Sequence, residues 1–259
     1  MDSLLNLSVL PMTLVVLAAT YAATAVIYLL VTRLAVGDRV RVLKGVSPGM
    51  LPPLAIIFAL LVGFLAAQVW NEADRAGTAV NHEASALRAA ILLADQFPGE
   101  PATRLRALIR QHIQTATTKE WPAMASRNVT LSLVPVALAD ALRLSLELEP
   151  HTAGQTIAQR ELVTALQTAL DARRQRIVLS GSSVNAVKWG ALLVQAALIL
   201  LTIALVHCDN PATNRLILGI FATGVAAAIV MIAAHSRPFS GAIAVRPTLL
   251  LQVMPEAGP

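Results

Sequence analysis

His82-Glu83-Ala84-Ser85-Ala86 opens like the helix of a zinc protease, in which two histidines one turn apart hold the metal and the glutamate between them activates water. Position 86 is alanine, so the second ligand is missing and no two-ligand face forms. No glycine-rich loop followed by Lys-Ser/Thr cradles phosphate, and no Gly-x-Ser-x-Gly turn presents a nucleophile. Glu72, Asp74 and Glu83 share a helical stretch, where acids ordinarily occupy solvated faces, and they are read here as solvent-facing. Cys208 is the only cysteine, which excludes a disulfide within the chain and a thiolate cluster; it reads as a small apolar residue at a helix end. Asn128-Val129-Thr130 matches a glycosylation acceptor, a pattern too short to weigh. The expectation is a protein that is not an enzyme and has no cofactor.

The elements that surround these residues explain their sparseness. Hydrophobic residues make up 56% of the chain and charged ones 14%, and the mean hydropathy is +0.66, so the solvent for much of the chain is lipid. Aromatic residues are only 4%, so the surplus is Ala, Leu, Val and Ile, which suit packed helices better than a ligand-gripping pocket. The pI near 10.1 invites nucleic acid, but the net charge is +5 and the bases are spread without a stripe, so no nucleic-acid partner is expected. A membrane helix needs about 20 apolar residues. Four windows qualify: about Val9 to Val36, Met50 to Trp70, Ala186 to Val206 and Leu216 to Ala234. Arg33 is the one charged residue among them and lies where it can snorkel. The start of the chain lacks the basic residues of a cleavable signal, so the first span is expected to stay.

Apolar helices in lipid gain nothing from burying Leu against Leu, so they pack through small residues. Ala55, Ala59, Gly63 and Ala67 fall four apart and form one such ridge, opposite Leu54, Ile57, Leu61, Leu65, Gln68 and Glu72. Ala18, Ala19, Ala22 and Ala23 repeat the device in the first span, and Gly219, Thr223 and Ala227 in the fourth. Tyr21, Thr24, Gln195 and Thr202 are polar at depth and are expected to bond neighbouring helices. A bundle that associates as a homo-oligomer in membrane lipid follows.

Residues 71–185 read as a helical extramembrane domain between transmembrane segments 9–70 and 186–234, with an extended tail at 235–259. Gln68 to Gln96 keeps a helical pattern without proline, which predicts one long helix continuing the second span to Phe97-Pro98-Gly99. A helix at about 102–118 gathers Leu105, Leu108, Ile109, His112, Ile113 and Ala116 on one face, away from Arg104, Arg106 and Arg110. Another follows at about 136–148, preceded by the run Val129 to Val134, which reads as strand or loop. A fourth, about 156–179, carries Ile157, Leu162, Leu166, Leu170 and Ile177 inward. The fold class is thus an all-α membrane protein with four transmembrane helices in two hairpins and an inserted helical extramembrane domain.

Three stretches together resemble the bestrophin-like family of bacterial membrane proteins, over nearly the whole chain. They are Gly63-Phe64-Leu65-Ala66-Ala67-Gln68-Val69-Trp70-Asn71-Glu72, then Val80-Asn81-His82-Glu83-Ala84-Ser85-Ala86-Leu87, and Pro238-Phe239-Ser240-Gly241 with the tail beyond it. The chain departs from the pattern at His235-Ser236-Arg237, where an Asp is expected before Pro-Phe. The resemblance implies a multi-pass protein of the bacterial inner membrane, similar to bestrophins: pentameric anion channels whose second span lines a hydrophobic neck. Carried over by position, Ile57, Leu61 and Phe64 or Leu65 would ring the axis, with Gln68 and Glu72 at a wetter mouth. The same stripe could instead face lipid, and Glu72 at a mouth would repel anions.

Sidedness has two opposed signals. Arg33, Arg39, Arg41 and Lys44 against Asp38 place the first connecting loop in the cytoplasm and the domain outside. The resemblance places the domain inside, and the cluster Arg173 to Arg176 beside the third span suits anionic headgroups, which tips the reading to a cytoplasmic domain. The leading function is an oligomeric channel for ions. The alternative is a non-conducting membrane scaffold or sensor whose domain binds a partner. An embedded enzyme would need convergent polar groups at depth, which the spans lack.

Overall fold

The computed structural model describes residues 8–256, apart from residues 44, 46, 47, 127, 129, 130, 132, 133 and 242. Among the described residues it is all helical, without strands. Four helices are long and apolar enough to cross a membrane, which makes the chain an integral membrane protein. The chain divides into two compact units, one of residues Met1–Asn71, Ser183–Arg237 and Gly241–Ile243, the other of Glu72–Ser182, Pro238–Ser240 and Ala244–Pro259.

The first unit holds α1 (Val9–Leu34), the short α2 (Arg39–Leu43), the first part of α3 (Leu51–Ala94), α8 (Ala186–Val206) and α9 (Pro211–His235). Pro52 and Pro53 stand in the first turn of α3, where the missing N–H groups have no helical partner to lose. Asn185 and Asn210 cap α8 and α9, accepting from the backbone N–H groups of Lys188 and Thr213 at 2.9 and 3.1 Å. The bundle has two apolar clusters. One gathers Met12, Leu65, Val69, Trp189, Leu192 and Ile232. The other gathers Val31, Ile199, Leu200, Ile203, Leu218 and Ala222, near the two connecting turns.

Of the polar residues at depth, Tyr21 meets the Thr223 hydroxyl at 2.7 Å and Gln195 donates to the Leu54 carbonyl at 3.0 Å, each joining two helices. Thr24 and Thr202 instead donate to carbonyls of their own helices, those of Thr20 and Leu198. The small ridge of the fourth span meets Tyr21 through Thr223, whereas that of the first span is not turned inward within the chain. Ala18, Ala19, Ala22 and Ala23 are exposed, and α1 turns Met12, Thr20, Thr24 and Val31 inward. A β-branched threonine whose hydroxyl bonds its own helix presents a methyl to the neighbour, so it packs as an apolar residue does.

The second unit holds the remainder of α3, α4 (Glu100–Thr115), a π-helical turn Ala116–Glu120, α5 (Trp121–Ala125), α6 (Val136–Glu147), α7 (Ala153–Ser180) and the short α10 (Thr248–Gln252). The long helix predicted from the second span onward is α3, unbroken over 44 residues or about 66 Å. It ends before Phe97-Pro98-Gly99, where Gly99 has φ 94°, a conformation that side chains oppose. Thr152 caps α7 by accepting from Gln155 N, and the Gln155 side chain donates to the Gln96 carbonyl, tying two turns together.

Three expectations need correction. Ile157 is exposed and Ala158 takes its place inside, because the inward stripe of α7 runs Ala158, Leu162, Leu166, Ala169. The helix at 102–118 does not stop: a π-turn carries it into α5. The tail is not wholly extended, since α10 forms within it and buries Leu250. Most of the run Val129 to Val134, and Val129-Thr130 of the glycosylation pattern, lie outside the described residues.

Leu166 is fully buried in the domain core with Leu87, Leu105, Ile109 and Leu162. Leu166→Ala should therefore cost about 2 to 5 kcal/mol, with no change in helix content. Thermal unfolding of the purified protein in detergent, followed by circular dichroism, measures both.

Candidate functional site

The second span is the least covered of the four. Within the first unit, 11% of its most apolar window is buried, against 22, 39 and 33% for α1, α8 and α9. Its inward side is Leu54, Phe58, Leu61, Val62, Leu65 and Val69, with Phe58 against Phe221 at 6.1 Å between ring centroids. The ridge Ala55, Ala59, Gly63 and Ala67 is exposed, and a Cβ at Gly63 would meet nothing within 4 Å. Ile57 and Phe64 are also exposed, Phe64 at 71%, whereas Leu65 is buried at 3%. Of the two alternatives carried by the family resemblance, Phe64 shares the outward stripe with Ile57 and Leu65 does not. Gln68 and Glu72 are half-buried, and Gln68 accepts a hydrogen bond from Lys188 Nζ.

A second constellation lies in the domain and was not expected. Glu83 and Arg176 are fully buried, and Glu120, Arg173 and His112 nearly so. Arg176 Nε donates to Glu83 Oε2 at 2.7 Å, and its Nη2 donates to Glu83 Oε1 at 3.0 Å and to Glu120 Oε2 at 2.9 Å. Arg173 donates twice to Glu120 Oε1, at 2.8 and 2.6 Å. His112 Nε2 completes the chain at 2.9 Å from Glu83 Oε1. Two carboxylates and two guanidiniums thus join α3, the π-turn and α7, and the His112 imidazole adds α4. The π-turn has a visible use here, for it places the Glu120 carboxylate and, one residue on, the Trp121 ring.

Trp121 covers the cluster. The Arg176 guanidinium carbon lies 4.7 Å from its ring centroid, and Phe239 meets the ring edge-on at 5.7 Å. Trp121 Nε1 donates to the Val245 carbonyl at 3.1 Å, Val245 N donates to the Pro238 carbonyl at 2.8 Å, and Arg110 donates to the Pro255 carbonyl at 2.6 Å. The tail segments of this unit are therefore pinned to the same core as the ion pairs.

Burial works to raise the Glu83 carboxyl, but the Arg176 charge and the hydrogen bonds from His112 and Arg176 outweigh it and hold it below the usual carboxylate range. Burial likewise opposes the Arg176 charge, and Glu83 and Glu120 overcome it and raise its pKa. Such a matched set binds its own members and has no free acid or base to offer a substrate. Among the described residues no three His, Cys, Asp or Glu side chains converge as metal ligands.

Glu83 is thus the opposite of a solvated acid. The signal was its register: it falls on the stripe Ala76, Val80, Leu87, Ala90 and Ala94, and Arg173 and Arg176 continue Leu162, Leu166 and Ala169 at the same spacing. The reading of Arg173 to Arg176 as a headgroup cluster is overturned for Arg173 and Arg176, whose charges are spent on buried glutamates. That cluster no longer tips the domain to the cytoplasmic side.

Arg176→Met would leave the buried Glu83 without its arginine, Glu120 keeping Arg173, and should cost about 3 to 5 kcal/mol, lowering the melting temperature sharply. A pH titration of thermal stability gives the second outcome. Because Glu83 has a lower pKa folded than unfolded, the unfolded chain binds more protons as acid is added. This stability is complete above the ordinary carboxylate value of about 4.3 and is lost as pH falls through the lower folded value. Glu83→Gln should remove that part of the acid sensitivity.

No curated protein and no solved structure matches the chain. The bestrophin-like domain matches it over residues 18–250, which takes in most of the first span, the other three spans, the buried ion pairs and the Trp121 clasp. The chain belongs to the bestrophin-like family of membrane proteins.

Proposed function

We propose that the chain assembles with copies of itself into a channel through which ions, anions foremost, cross the membrane, and that it is not an enzyme. The observation that carries this reading is the uncovered outer face of α3. The ridge centred on Ala59 and Gly63 and the stripe of Ile57 and Phe64 lie roughly 130° apart around the helix axis at 3.6 residues per turn. One flank suits close approach by a neighbouring helix, and the other presents bulky apolar groups that would ring a common axis. Leu61, half-buried, borders that stripe. Lys188 beside Gln68 supplies a cation at that wetter residue, which suits an anion. Family membership supports the same reading, and a pentamer is the assembly it favours.

The alternative is a membrane scaffold or sensor without conduction. It is favoured by the rigid domain core, which could present a fixed surface to a partner. An assembled particle with a lipid-filled axis would select it.

Purified protein in liposomes should pass chloride above the background of protein-free vesicles. Ile57→Ser and Phe64→Ser, by wetting the constriction, should raise the flux several-fold. Leu65→Ser should lower the melting temperature without that gain. Ala59→Cys in a Cys208→Ala background should cross-link two copies. A monomer that passes no ion would end the proposal.

A further inference from the structure

The basic stretch Arg173-Arg174-Gln175-Arg176 is divided by its own helix. Arg173 and Arg176 turn into the ion-paired core, while Arg174 turns to solvent. On the outer face of α7 it aligns with Asp171 and Val178, at helical spacings of three and four, beside its neighbour Gln175. Arg75 and Thr78, three residues apart on α3, stand across from them. Together these residues line a groove of about 590 Å³ in the domain.

The charges of the two groove arginines are not spent inside the unit, as those of several others are. Arg106 is paired with Asp95, Arg143 with Asp140, and Arg173 and Arg176 with buried glutamates. Among the described residues no ion pair or hydrogen bond engages Arg75 or Arg174, although Asp171 shares their groove. Two guanidiniums against one carboxylate leave the lining net positive. The Thr78 hydroxyl and the Gln175 amide add neutral donors, and the Val178 side chain gives one wall an apolar surface. Two planar guanidiniums with neutral donors are the chemistry that recognises a phosphate, through paired N–H donors to its oxygens.

We infer that this groove binds a phosphate-class oxyanion, clamped by Arg75 and Arg174. The same chemistry has two sources, the headgroup of an anionic phospholipid and free phosphate. Asp171 weakens the hold on the most highly charged anions and so favours a phosphodiester over a dianion.

The test uses the full chain and two probes. In one arm, protein is reconstituted in phosphatidylcholine nanodiscs with and without phosphatidylglycerol, extracted, and examined by native mass spectrometry for retained lipid. In the other, inorganic phosphate is titrated and the melting temperature followed, with sodium chloride at equal ionic strength as control. Retention or a phosphate-specific rise should appear in the unaltered chain, fall at least fivefold in Arg75→Gln/Arg174→Gln, and strengthen in Asp171→Asn. Both arginines are exposed, so the double variant should keep the melting temperature of the unliganded protein; unchanged melting separates lost binding from lost folding. Lipid retention alone identifies a headgroup site, and a phosphate response alone identifies a soluble anion; each upholds the groove. If the unaltered chain and the double variant behave alike in both arms, the inference is overturned. Conduction plays no part in either readout, so a failure of the channel reading would leave this result standing.

Discussion

The buried pairing of Glu83 with Arg176 sets the terms for the domain. Neither charge tolerates a dry interior alone, so each helix that carries one must arrive with its partner aligned. Arg176 is held by two carboxylates from different segments, Glu83 on α3 and Glu120 at the end of the π-turn. A regular α-helix through 116–120 would rotate Glu120 and Trp121 relative to the rest of α4, so the local irregularity follows from the need to match charge. Apolar packing supplies most of the driving force through Leu87, Leu105, Ile109, Leu162 and Leu166, and a register that parted the ion pairs would leave buried charges unmatched.

The membrane bundle works under the opposite constraint. Its helices have little charge to match, and lipid competes on equal terms for every leucine. Contacts therefore come from interlocking shapes and a few polar ties, such as Tyr21 with Thr223 and Gln195 with the Leu54 carbonyl. Asn214 is the costliest of these groups. It is fully buried, donating to the Ala204 carbonyl across the turn between α8 and α9. Its place near the end of both helices confines that cost to one short connection.

Much of this was legible in the sequence, for reasons that are themselves physical. Length and hydropathy fix the spans because the bilayer has one thickness, and the absence of proline from Gln68 to Gln96 foretold the continuity of α3. The face of α4, with His112 turned inward, follows from helical spacing alone. Glu83, Arg173 and Arg176 were misread because residue type was weighed before position. Their places in apolar stripes were visible, but a single stripe cannot show that another helix brings the opposite charge. Ala55, Ala59, Gly63 and Ala67 illustrate a different limit. Sequence marks the ridge, and the fold of one chain leaves it open.

The clasp of the tail on Trp121 also bears on how the protein is made. Leu250, Val245 and Phe239 belong to the core that Leu87, Leu105 and Leu166 begin, yet two apolar spans separate them in the chain. A ribosome adding about 5 to 20 residues per second completes α7 several seconds before Leu250 emerges. In that interval the Trp121 indole lacks the carbonyl it will bond and part of the core stays open. The core of the domain can therefore close fully only after the third and fourth helices have been synthesised.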